Sequence, residues 1–360
     1  MIWRSRLLTR RFGNTWQTYN PVTNDWMNLY VSGYDGFDNN GGGKWTKYIN
    51  IPITSTPSEY AQYKVAIDST NVTVYAADGT QEAQGAVASD FWDNVQSDGG
   101  DMRVFDQAKD QLHFWIESWD YSGQNAVIWV KLPAGSTELN IAYGNPSATK
   151  SDYENGEQVF EFFDDFKGNS LDTNKWTAVN NPSLSFSNSI MTISGLNSVS
   201  TTPEFIKSLT TFGYDYMLKA RVDHDFTGEN MGGMGFAEDG GYTYPPKTHV
   251  AMYVDMSVST DALQFITEDG INRAMSDGYT YYGGWTDFIV HRQSNQVYFK
   301  FANYEWTSSS ALPTKILPVY IGGFESGLTG PHSFNFNVDW VFVAKLADPA
   351  DFGTPQILEL

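Results

Sequence analysis

The chain has 360 residues, 41% of them hydrophobic, which supplies a large core and excludes intrinsic disorder. A net charge of −20 and a pI near 4.4 exclude nucleic acid and insertion into anionic membranes, since both partners would repel it. With no cysteine, disulfides, thiolate metal sites and cysteine nucleophiles are excluded as well.

Four segments follow in chain order. Residues 1–43 begin with Arg4, Arg6, Arg10 and Arg11, but lack the apolar run of roughly 7–15 residues that an export signal needs. The stretch TWQTYNPVTNDWMNLYVSGYDGF alternates aromatic and polar residues between turn signals, predicting short strands or an extended arm that ends in Asn39-Asn40-Gly41-Gly42-Gly43. This arm is the expected docking segment.

Residues 44–158 hold short apolar runs rich in β-branched and aromatic residues: KWTKYINIPI, YAQYKVAID, NVTVYAAD, DMRVFD, LHFWIESWD, NAVIWVKLP and TELNIAYGNP. Turn residues separate them at about ten-residue spacing, the pattern of a small antiparallel β-sandwich. A helix is placed near SDFWDNVQSD. FWIESWD reads as core tryptophan with a surface carboxylate.

Residues 159–348 predict nine or more strands and no helix. They include LSFSNSIMTISG, FGYDYMLKARVD, MGGMGFAED, THVAMYVDMSV, ALQFITED, WTDFIVHRQ, QVYFKFAN, PVYIGGF and FNVDWVFVAKL. So many strands need two sheets packed face to face. Residues 349–360 read as a C-terminal tail. The fold class is therefore all-β, and the 12 Trp, 21 Tyr and 23 Phe fit both half-buried strands and the stacking of rings on sugars.

The stretch Asp164-Asp165-Phe166 followed by LDTNKW, residues 171–176, resembles the opening of concanavalin A-like lectin/glucanase domains, the LamG-like jelly rolls. VDWVFVAKLADP, residues 338–349, resembles their closing strand, and FGYDYMLKARV, residues 212–222, a curved strand between. The resemblance spans residues 162–348 and implies a jelly roll in which first and last strands lie side by side. GDMRVFD, FWIESWD, AVIWVKLP and IAYGNPSA resemble an uncharacterised domain of prokaryotic and viral surface proteins over residues 44–150, which brings no activity with it.

Glucanases of the first family carry Glu-x-Asp-x-x-Glu on one strand, so that two carboxyls stand about 5–5.5 Å apart as nucleophile and acid. The corresponding strand here, THVAMYVDM, offers only Asp255, and the motif occurs nowhere. Asp223, Asp225 and Glu229 form a weak imitation before a turn. The five histidines show no metal-ligand spacing, and no P-loop, dinucleotide or Gly-x-Ser-x-Gly signature appears. No catalysis is expected.

The same resemblance implies a structural Ca²⁺ tying the first strand to the last on the convex side, held by the carbonyls of Asp165 and Ser189 and the carboxylate of Asp339. Oxygen ligands of this kind suit a hard cation. A sugar site needs exposed aromatics on the concave face. The candidates are Tyr242, Tyr244, Tyr281, Tyr282, Trp285 and Trp306, with Tyr253 and Tyr279 beside them; core packing is the competing reading of each. Together these point to a non-catalytic virion surface protein of a bacterial or archaeal virus, multimeric, attached to other virion proteins by its arm and binding host cell-surface glycans. A secreted adhesin, a divergent hydrolase and a purely architectural protein are the alternatives.

Overall fold

The computed structural model describes residues 9–12, 15–20, 25–29, 36–38, 42–197, 203–227, 231–238, 248–255, 262–280, 283–323, 332–346 and 350–360. Four antiparallel sheets stack in sequence, with three apolar cores between them. The three N-terminal strands, Thr9–Phe12, Thr15–Asn20 and Asp25–Leu29, form a separate sheet and pair only with one another among the described residues.

In the first sandwich the outer sheet runs Asp351–Phe352, Lys47–Ser55, Glu138–Tyr143, Arg103–Phe105. The inner sheet runs Gln81–Gly85, Val72–Ala76, Ala61–Ile67, Asn125–Leu132, Phe114–Asp120. Alternation along each strand sends Ile49, Ile51, Val65, Ile128 and Val130 into the core between them. Short helices occupy Ala88–Asn94, overlapping the stretch near which one is predicted, and Gly156–Val159.

Residues 350–360, within the expected tail 349–360, are not a free tail. Asp351–Phe352 and Gln356–Glu359 run end to end, antiparallel, along Lys47–Ser55. The segment mixes polar and apolar residues, and its two short strands cover an otherwise open edge.

The jelly roll consists of two eight-stranded sheets. Its central sheet is ordered Ser183–Ser187, Ile190–Asn197, His332–Lys345, Tyr216–Thr227, Thr286–Arg292, Val297–Phe301, Tyr304–Ser308. Its far sheet is ordered Trp176–Val179, Phe205–Phe212, Leu317–Gly323, Met231–Ala237, Thr248–Asp255, Ala262–Asp269, Arg273–Met275, with Tyr279–Thr280 as the eighth strand, also paired to Ala262–Asp269. Phe162–Asp164 pairs with Val341–Val343, so the opening and closing motifs meet. The opening motif has a local cause too: the Trp176 indole donates to the buried Asp164 carboxylate at 2.7 Å, and Phe162 packs edge-on to Trp176.

The two sandwiches share a third core. Trp115 and Trp129 of the inner sheet pack on Trp340 and Phe342 of the central sheet, with Val159, Phe160 and Phe163 of the connection buried between them. A β-bulge makes this possible. Trp340 pairs with Arg221 and Val338 with Val222, leaving Asp339 as the extra residue. Before the bulge Phe336 and Val338 face the jelly-roll core; after it Val341 and Val343 do, and Trp340 and Phe342 turn toward the first sandwich.

Candidate functional site

The far sheet is the jelly-roll sheet that does not face the first sandwich. Val250, Met252, Leu263 and Phe265 point into the core, so period-2 alternation sends His249, Ala251, Gln264, Ile266 and Glu268 to the opposite face. His249 and Glu268 are direct cross-strand partners. Both are fully buried, with Nε2 of His249 2.8 Å from Oε2 of Glu268, while Arg273 Nε donates to Oε1. The carboxylate thus faces a nitrogen on each side, and Arg273, a quarter exposed, is carried at the outer end of the row. Half-buried Gln264 and Lys207 and the buried Tyr320 and Phe205 share that face. Among the described side chains of this row Glu268 is the one carboxylate; Asp255 shares the face by alternation, but its side chain lies outside the described residues. Sequence reading missed the row because His249, Glu268 and Arg273 are spread over three strands.

The expected sugar-binding aromatics distribute differently. Tyr242, Tyr244, Tyr281 and Tyr282 lie outside the described residues, as does the side chain of Tyr253. Trp306 belongs to the edge of the central sheet and stacks on the core residue Phe299 at 5.6 Å between ring centroids; it packs inward rather than lining the far sheet. Tyr279 likewise packs on Phe265 and stacks on Tyr304. Trp285 is exposed, but it leads into Thr286–Arg292 of the central sheet, next to Gly284, whose N–H donates to Asp223. Asp223 is therefore on the central sheet, away from the row where hydrolases of this resemblance would need it, and Glu229 lies outside the described residues.

The residues expected as calcium ligands lie along one strand edge by register. Ser189 sits with Asn188 in a two-residue turn, both at positive φ, between Ser183–Ser187 and Ile190–Asn197. Met191 pairs with Val338 and Asp164 with Val341, so the Ser189 turn and Asp165 flank the bulged Asp339 from the two ends of one strand edge. Burial pushes the Asp339 carboxyl above its ordinary range; Arg221, 3.9 Å away, opposes it, and the Asp165 charge adds a smaller rise. A carboxylate burdened in this way gains from a cation, and the donor set of carboxylate plus carbonyls fits Ca²⁺. Among the described residues no cluster of three or more His, Asp or Glu side chains capable of holding a metal occurs.

Glu117 of FWIESWD is not a surface carboxylate. It lies in the third core, 2.5 Å from Lys219 and accepting the Trp129 indole N–H at 2.6 Å. The alternation that puts Phe114 and Ile116 toward the first core puts Trp115 and Glu117 toward the jelly roll.

Comparison with known proteins gives one family match, a domain of unknown function (DUF2341), over residues 98–179. It covers part of the first sandwich, the connection and the opening motif of the jelly roll. No curated protein matches the sequence. Among solved structures the chain is similar to one of the endo-acting O-glycanases that human gut microbiota express to initiate mucin breakdown, at 14% identity and TM-score 0.40, over 52% of this chain and 100% of that one. A β-1,3-glucanase of Mycobacterium marinum is similar at 14% identity and TM-score 0.37, over 51% of this chain and 98% of that one. A pseudo β-1,3-glucanase of Mycobacterium tuberculosis is similar at 16% and 0.36, over 52% and 98%. The jelly-roll architecture itself rests on the strand order given above. Among the described residues no helix is long and apolar enough to cross a membrane.

Proposed function

We propose that this chain is a non-catalytic glycan-recognition protein whose jelly roll binds cell-surface carbohydrate through the outward face of its far sheet. One observation carries the reading: among the described side chains, the row where hydrolysis would need two free carboxylates holds a single one, Glu268, set beside His249 and bonded by Arg273. Such a row positions hydrogen-bond donors at fixed places, which suits hydroxyl recognition rather than bond cleavage. A Ca²⁺ ion held by Asp339 and the carbonyls of Asp165 and Ser189 would brace the bulge beside the first sandwich. The setting we propose is a virion surface, with residues 1–43 docking to neighbouring virion proteins and several copies displayed together, so that weak sugar contacts add up. Its support is the separate N-terminal sheet, which pairs with no other sheet among the described residues.

The test is binding of the full chain to a glycan panel and to intact host envelopes, with Arg273→Ala as the variant. Saturable binding that Arg273→Ala weakens is the expected result. Release of reducing sugar from a bound polysaccharide would overturn the non-catalytic reading. No binding by a folded chain would favour a purely architectural protein.

A further inference from the structure

Between the two sandwiches, beside the third core, lies a cavity of about 400 Å³. That is within the roughly 300–1,000 Å³ of small-molecule sites, which favour domain interfaces. The inner sheet contributes Lys64 and Trp129 and the turn at Asp78 and Gly79; the central sheet contributes Lys219, Asp287, His291, Tyr298 and Lys300. The turn is exposed and Lys300 is 42% exposed, so the mouth opens between them.

The charges are unevenly matched. Lys219 is paired with Glu117 and Asp287, and Lys300 with Glu305. Lys64 makes no ion pair among the described residues; its ammonium sits over the Tyr75 ring, 4.2 Å from the centroid. Burial, and next the Lys219 charge, hold its pKa below the ordinary lysine value, so an anion in the cavity would stabilise it. On a chain of net charge −20, this lining carries three lysines against two aspartates.

The remaining walls narrow the ligand class. Trp129, Met217 and Ile289 make one side apolar, and Asp78 and His291 offer groups for hydroxyls. Asp78 and Asp287 disfavour a dianion, and the space exceeds a bare oxyanion. We propose that this cleft binds a small sugar acid, with its carboxylate on Lys64 and its hydroxyls toward Asp78 and His291. The site is independent of the far-sheet row, so either reading can fail without the other.

The experiment is calorimetric titration of the full chain with D-glucuronate, D-glucose and inorganic phosphate. Saturable glucuronate binding is expected, in the range of about 1 mM or tighter, with glucose and phosphate much weaker. Lys64→Gln should weaken glucuronate roughly tenfold or more, the loss of one charge-assisted contact, and Lys64→Arg should restore part of it. Lys300→Gln at the mouth gives a smaller weakening and serves if Lys64→Gln does not fold. Equal binding of glucose or of phosphate, no glucuronate binding, or an unaffected Lys64→Gln variant would each overturn the proposal.

Discussion

Lys219 of the jelly roll holds Glu117 of the first sandwich at 2.5 Å, and the two side chains are only 8% and 10% exposed. The pair ties the two sandwiches within a shared aromatic core. Lys219→Met leaves Glu117 buried with only the Trp129 indole, and should cost about 3 kcal/mol. Glu117→Gln keeps an acceptor for Trp129 and leaves Lys219 with Asp287 at 3.0 Å, so its cost should be smaller, about 1–2 kcal/mol. Urea unfolding of both variants checks this; equal losses would mean the pair is not the seat of the coupling.

His291 lies under the cleft, and burial depresses its pKa to about 4, with Asp78 opposing weakly. Its folded value is below the unfolded one of about 6.5. Between the two, the unfolded chain binds more protons, so this contribution is whole above about pH 6.5 and is lost as pH falls toward 4. The loss is on the order of 3 kcal/mol. Asp101 and Asp164, with carboxyls raised by burial, act in the opposite direction. The measurement is therefore the difference in Tm between wild type and His291→Gln across pH 4–7, which should shrink on acidification. A difference that stays constant with pH would show that His291 is not held neutral.

For the Asp339 bulge the expected outcome is a calcium-dependent melt. Adding Ca²⁺ should raise Tm, chelator should reverse the gain, and Asp339→Asn should abolish the response. At free calcium about 100 times Kd the gain is about 2.7 kcal/mol. A wild-type Tm unmoved by chelator removes the ion from this edge.

What the sequence makes legible follows from range. The strands, the two sandwiches' alternation and the meeting of the Asp164 and Trp340 motifs all depend on patterns a few residues long, or on one jelly-roll strand order. What stayed hidden needs contacts across the chain. Glu117 looks like a surface carboxylate because nothing near it in sequence announces Lys219. Trp306 looks like a sugar platform because only the packing of the central-sheet edge shows it turned onto Phe299. The bulge at Asp339 reverses the phase of VDWVFVAKL, so simple alternation misassigns one half of that strand. His249, Glu268 and Arg273 meet only through strand register.

The C-terminal segment supplies the last test. Residues 351–359 ladder along Lys47–Ser55, and Leu360 N–H donates to the Thr46 carbonyl. Ala350 N–H donates to the buried Tyr63 hydroxyl at 2.7 Å, Phe352 packs edge-on to Tyr63, and Gln356 donates to the buried Asn50. Deleting residues 350–360 removes these contacts and opens the whole edge of a strand that is otherwise covered. The expected loss is about 2–4 kcal/mol from apolar burial and hydrogen bonds. The bare edge should also make the truncated chain self-associate as concentration rises, since its free N–H and C=O groups accept another strand. Unfolding midpoints and sedimentation of the full and truncated chains check both effects together. An unchanged midpoint in a chain that stays monomeric would mean that the ladder adds nothing to the sandwich it covers.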